Sequence, residues 1–111
     1  MVEVRTVNAA EAVELAASGA LLLDVREDHE WQAGRAQGAV HVALAELGDH
    51  VEDFTSGQLI ICVCRSGGRS KRATLFLLEQ GLEAVNLEGG MLAWASEGLD
   101  LVGDLGDPLV I

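Results

Sequence analysis

The longest unbroken apolar run in the chain, Leu59-Ile60-Ile61-Cys62-Val63-Cys64, passes directly into the small and basic stretch Arg65-Ser66-Gly67-Gly68-Arg69-Ser70. Residues 59–63 read as the strongest strand in the sequence. From Ser70 the apolar spacing changes to i, i+3 and i+4 through Ala73, Phe76 and Leu77, which predicts a helix closing at Gly81. A strand that turns into a helix across a short glycine loop leaves the chain few choices. It must lie beside other strands, with the helix packed across one face.

The remaining sequence supplies those strands. Residues 2–7 alternate apolar and polar, and Asn8 is placed to cap a helix through Ala12, Leu15 and Ala16 that stops at Gly19. Leu21-Leu22-Leu23-Asp24-Val25 is almost continuously apolar, the pattern of a strand buried on both faces in a parallel sheet. A short acidic helix is expected over 27–33, a brief strand over 38–42, and a helical or irregular stretch over 44–54 ending in the turn Ser56-Gly57. Ala84-Val85-Asn86-Leu87 forms another strand, then Gly89-Gly90 opens a last helix carrying Leu92 and Trp94. Five strands alternating with helices predict an α/β fold. Right-handed crossovers make it a five-stranded, mostly parallel sheet with helices on both faces. At 111 residues the chain has room for one domain, 1–111, with 102–111 as a C-terminal tail. The segment from Leu99, with Gly103, Gly106 and Pro108, is expected to be irregular or loosely docked.

In such sheets ligands bind beyond the carboxyl ends of the strands, which is where Cys64 falls. A thiol there gains help in ionising from loop amides, from the positive end of the helix and from Arg65 and Arg69. Together these can bring a cysteine pKa from about 8.5 to roughly 4–7.5. Gly67 and Gly68 suit a tight cradle because it requires backbone conformations that side chains resist. Cys62, inside the apolar strand, reads as core. The two cysteines, one residue apart, match neither a disulfide nor a zinc ligand set, so no metal or organic cofactor is expected.

Charge excludes other classes of partner. Eighteen acidic residues against seven basic ones give a net charge of -11, which argues against nucleic acid and against anionic membranes. Yet Arg65, Arg69, Lys71 and Arg72 fall together, so one spot attracts the anions that the rest of the surface repels. Residues 1–5 lack a cationic stretch followed by an apolar core, and a cytoplasmic setting is expected. The acidic residues at 27, 28, 30, 46, 49, 52 and 53 read as a solvated face. Asp24 and Arg26 read as an ion pair or loop brace bordering the site. Glu88 reads as a partner for a loop arginine or as a solvated turn carboxylate. His29, His41 and His50 share no metal spacing, and Trp31 and Trp94 read as core anchors for helices.

Two segments, Leu22-Leu23-Asp24-Val25-Arg26-Glu27 and Cys64-Arg65-Ser66-Gly67-Gly68-Arg69-Ser70, resemble the two best-known signatures of rhodanese-like domains. Glu30-Trp31-Gln32-Ala33-Gly34-Arg35-Ala36-Gln37-Gly38-Ala39 resembles the family segment ending in Gly-His-Ile-Pro-Gly-Ala. Asn86-Leu87-Glu88-Gly89-Gly90-Met91-Leu92-Ala93-Trp94 resembles its closing motif. The four occur in family order. The resemblance implies a sulfurtransferase in which Cys64 takes a sulfane sulfur from a donor such as thiosulfate, carries it as a persulfide and yields it to cyanide or a thiol. It also allows a sulfur-relay partner protein. It places Arg65, Ser66, Gly67, Gly68 and Arg69 around the persulfide. The six-residue loop from Cys64 to Arg69 resembles the sulfur-transferring members; related phosphatases have one residue more. A cysteine-dependent phosphatase or arsenate reductase, and a non-catalytic binding or redox-sensing module, are the alternatives. Two departures stand out. Arg35-Ala36-Gln37 replaces the usual His-Ile-Pro, and Ser66 makes the loop less basic at its third position than in strong thiosulfate users.

Overall fold

Cβ positions alternate across a strand, and the middle strand of the sheet uses that alternation to build two cores at once. The computed structural model describes residues 2–111. It contains β1 (Thr6–Val7), α1 (Ala9–Ala17), β2 (Leu21–Asp24), α2 (Asp28–Ala33), β3 (Arg35–Ala36) and β4 (Val40–His41). A 3₁₀ segment (Leu44–Asp53) follows, then β5 (Ile60–Val63), α3 (Gly68–Glu79), β6 (Ala84–Leu87), α4 (Gly90–Ser96) and β7 (Leu101–Val102). On β5, Ile61 and Val63 join Leu22, Val85, Leu87, Met91 and Trp94 on the α1 and α4 side. Ile60 and Cys62 join Leu23, Val25, Leu47, Ala73 and Leu77 on the α3 side.

The main sheet has the order β1-β6-β5-β2-β4, and every neighbouring pair in it is parallel. The five-stranded α/β architecture expected from the periodicity is therefore present. With β5 in the centre and β2 and β6 beside it, the loops after these three strands meet at one end of the sheet. Helix starts follow local chemistry. Asn8 Oδ1 accepts from the Glu11 amide at 2.8 Å while the Glu11 carboxylate accepts from the Asn8 amide at 3.0 Å, a reciprocal cap for α1. Gly67, with φ of 114°, makes the left-handed turn that lets α3 begin at Gly68, two residues before the expected start.

Three features refine the expected fold. The first strand is only Thr6–Val7, because it is an edge strand bonded to β6 alone. A second sheet, the antiparallel pair of β3 and β7, was not foreseen. Beyond β7 the C-terminal segment is irregular, as expected, but held in place: the Leu109 amide donates to the Ala33 carbonyl at 2.9 Å, and the Asp104 amide donates to that of Gln32 at 2.9 Å. Gly34 permits this approach, since a Cβ there would overlap the Leu109 backbone. Among the described residues no helix is long and apolar enough to cross a membrane.

Candidate active site

Cys64 follows β5 directly, and its side chain continues the period that sends Cys62 toward α3. Its residue is only 1% exposed. The Gly67 amide donates to Sγ at 3.1 Å and the Ser70 hydroxyl at 3.2 Å. Burial pushes the thiol upward and is the largest single influence on it. The Ser70 hydroxyl and the amides of Ser70, Gly67 and Ser66 together outweigh that, so the Cys64 thiol ionises below its usual range. Cys62 lies deeper and lacks the cradle. Loss of hydration pushes it up to about 12, opposed by Thr74 and helped by the neighbouring Cys64 charge. A readily ionised thiol thus stands just past the strand, and one that resists ionisation lies within it.

The loop is shaped from outside by α4. The amides of Met91 and Leu92 donate to the carbonyls of Cys64 and Arg65 at 2.8 and 3.0 Å. Turning those carbonyls toward α4 leaves the following amides free to face the sulfur. Gly90 makes the contact possible, because a Cβ at this position would overlap the Cys64 and Arg65 carbonyls. Asn86 on β6 braces the other side, donating from Nδ2 to the Gly67 carbonyl at 3.2 Å.

Among the residues expected around the sulfur, Ser66 and Gly67 face it with their amides, and Gly68 opens α3. Neither loop arginine bonds Sγ. Arg65 donates from Nε to the Ile111 carbonyl at 3.0 Å. Arg69 donates from both terminal nitrogens to the Glu30 carboxylate at 2.7 and 2.9 Å, while lying near enough to Cys64 for their charges to favour each other. Chiefly through these hydrogen bonds, Glu30 is held at about 2 despite its burial. Glu30 is thus not part of a solvated acidic face, and the partner of the loop arginine is Glu30 rather than Glu88. Its position at the head of the third quoted segment was the available signal. Ser70 and Asn86 belong to two of the quoted segments, but the sequence assigns neither a role at the sulfur; a lone polar residue in the otherwise apolar strand 84–87 is the clue to Asn86.

Asp24 and Arg26 form a buried pair at 2.7 Å, and Arg26 also donates to the Gly34 carbonyl at 2.7 Å, so they brace the chain after β2. Trp31 is not a core anchor. It lies half-buried between the His41 ring, stacked at 4.8 Å, and the Arg35 guanidinium at 4.6 Å. Arg35, standing where the family usually has histidine, also pairs with Asp104 at 2.9 Å and so fastens the C-terminal segment. Trp94 is buried and donates from Nε1 to the Asp100 carbonyl at 3.0 Å. His50 pairs with Asp53, His41 contacts the Arg26 carbonyl at 2.7 Å, and His29 is exposed.

A buried cysteine whose sulfur accepts from the Gly67 amide and the Ser70 hydroxyl thus stands at the carboxyl end of the central strand of a parallel α/β sheet. The chain belongs to the rhodanese-like domain family, whose model matches residues 8–97. It is 41% identical over 76 residues to YtwF of Bacillus subtilis (strain 168), assigned by name as a sulfurtransferase, covering 68% of this chain and 74% of that one. It is 34% identical over 83 residues to a protein named sulfurtransferase from Allochromatium vinosum, covering 74% and 78%. The crystal structure of a rhodanese-related protein from Thermoplasma volcanium superposes with a TM-score of 0.82 at 32% identity, covering 88% of this chain and 97% of that one.

Proposed function

We propose that this chain is a rhodanese-type sulfurtransferase that carries sulfane sulfur as a persulfide on Cys64. The observation that carries the reading is the ring of donors on Sγ from Ser66, Gly67 and Ser70, which holds a thiolate without a neighbouring base. In the loading step the thiolate attacks the outer sulfur of a donor such as thiosulfate. The new Sγ–S bond forms as the old S–S bond breaks, and sulfite leaves with the electron pair. In the discharge step cyanide or a thiolate attacks the outer sulfur of the persulfide, and the pair returns to Cys64 Sγ. Loop amides suit both states, because the negative charge moves by one sulfur atom and stays within a nest of N–H groups.

The test is intact-protein mass after incubation with thiosulfate or an organic persulfide, with Cys64→Ala as control and a cyanide chase. A gain of one sulfur that requires Cys64 and is discharged as thiocyanate is expected. No gain from either donor overturns the proposal.

A further inference from the structure

The Ser70 hydroxyl has one hydrogen and two acceptors. Its Oγ stands 3.2 Å from Cys64 Sγ and 2.5 Å from Asn86 Oδ1. The Asn86 amide can face only one way. Nδ2 donates to the Gly67 carbonyl, and the opposite orientation would set Oδ1 against that carbonyl oxygen. Ser70, Asn86 and Cys64 are 0%, 4% and 1% exposed, so solvent does not relieve the competition. We propose that Asn86 is a positioning residue that, by competing for the single Ser70 hydrogen, limits how strongly that hydroxyl stabilises the Cys64 thiolate.

The hydrogen follows the charge. A bond to an ionised acceptor is roughly twice as strong as a neutral one, so a thiolate draws the hydrogen toward Sγ, and a sulfur without charge releases it to Asn86. On the sulfurtransferase reading, on which this last step rests, loading moves the negative charge to the outer sulfur and the hydroxyl turns to Asn86. When an acceptor attacks and the Sγ–S bond breaks, the electron pair arrives on Sγ and the hydroxyl turns back. Asn86 keeps the donor satisfied while sulfur is held, so neither state leaves a buried hydroxyl unpaired. It thereby balances Cys64 as nucleophile against Cys64 as leaving group.

The experiment uses the unloaded protein and needs no sulfur donor, so its failure leaves the sulfurtransferase proposal standing, and the reverse also holds. The Cys64 thiolate is titrated by ultraviolet absorbance and by the pH dependence of its alkylation rate in wild type, Ser70→Ala, Asn86→Leu and the double variant. Other charged or titratable groups about the site are Arg69 with Glu30 and Glu27, Arg65, the Asp24 and Arg26 pair, and Cys62, and all four proteins share them. Ser70→Ala is expected to lower the thiolate fraction about tenfold below the midpoint, the effect of losing one bond to a charged acceptor. Asn86→Leu frees the hydrogen for Sγ and is expected to raise that fraction about threefold relative to its effect in the Ser70→Ala background. That background isolates whatever the lost Gly67 brace contributes. An equal effect of Asn86→Leu with and without the Ser70 hydroxyl overturns the proposal. Should Asn86→Leu fail to fold, Asn86→Asp replaces it in the same cycle. Its carboxylate competes harder for the hydrogen, and a lowered thiolate fraction that depends on Ser70 is required.

Discussion

Glu30 and Arg69 meet through two hydrogen bonds, 2.7 and 2.9 Å long, that tie α2 to the first turn of α3 beside the reactive loop. The carboxylate is nearly buried, with its side chain 9% exposed, whereas the guanidinium is 30% exposed. The pair therefore serves two ends. It anchors the helix that follows the loop, and it engages the Arg69 guanidinium so that less of its charge faces the sulfur.

The pair makes stability depend on acid. Glu30 has its pKa lowered from 4.5 to about 2, so its stabilisation is fully present above pH 4.5 and is lost as pH falls toward 2. Glu30→Gln is expected to cost about 1–3 kcal/mol at pH 7, a partly screened version of a broken buried pair. Denaturant unfolding at pH 7, 4 and 2.5 should show the gap between wild type and variant closing as pH falls. A gap of constant size would assign the loss to packing instead.

Cys64 and Cys62 should separate cleanly by reactivity. Iodoacetamide at neutral pH should modify Cys64 alone, with a rate midpoint below the ordinary thiol value of about 8.5, and reach Cys62 only after unfolding. Cys62→Ala should retain most sulfur transfer while losing about 1 kcal/mol of stability from a small cavity. Loss of transfer in Cys62→Ala with a folded protein would contradict the assignment.

Gly90 and Gly98 form a matched pair of tests. Both have positive φ, 54° and 72°, but a Cβ on Gly98 meets nothing within 4 Å, while one on Gly90 strikes the Cys64 and Arg65 carbonyls. Gly98→Ala should cost about 1–2 kcal/mol from backbone strain and leave activity intact. Gly90→Ala should cost more and reduce transfer by an order of magnitude or beyond, read as kcat/KM after correction for the folded fraction. Equal activity in the two variants would show that α4 does not shape the loop.

Removing the Asp24 carboxylate leaves Arg26 charged and buried. Asp24→Ala should cost about 3–5 kcal/mol, and adding Arg26→Met should recover part of that loss. Thermal unfolding of the single and double variants measures it; strictly additive losses would rule out the pair as a unit.

The sequence declared the central architecture because each element that builds it repeats its pattern several times. Residues 59–63 are apolar throughout and 21–25 are apolar but for Asp24, and the helix after Ser70 shows three apolar positions on one face. The two-residue strands Arg35–Ala36 and Leu101–Val102 are too short to show any period, and their pairing is set by distant contacts such as Arg35 with Asp104. Cys64 and its loop were legible from the glycines and cations around one thiol. The roles of Glu30, Ser70 and Asn86 were not, because each arises from segments brought together only by the sheet order. A carboxylate in an acidic run gives no sign, by itself, that it will be the one turned inward.

The alternation along β5 also gives the chemistry a direction. Cys62 and Cys64 face the same core, but the inner thiol keeps its proton at any ordinary pH and is a weak nucleophile. In the proposed cycle, sulfur loaded on the outer residue therefore has no internal route of escape. It waits, without a resolving neighbour, until an acceptor arrives over the loop from solvent, so the arriving molecule and not the protein decides when the cargo leaves.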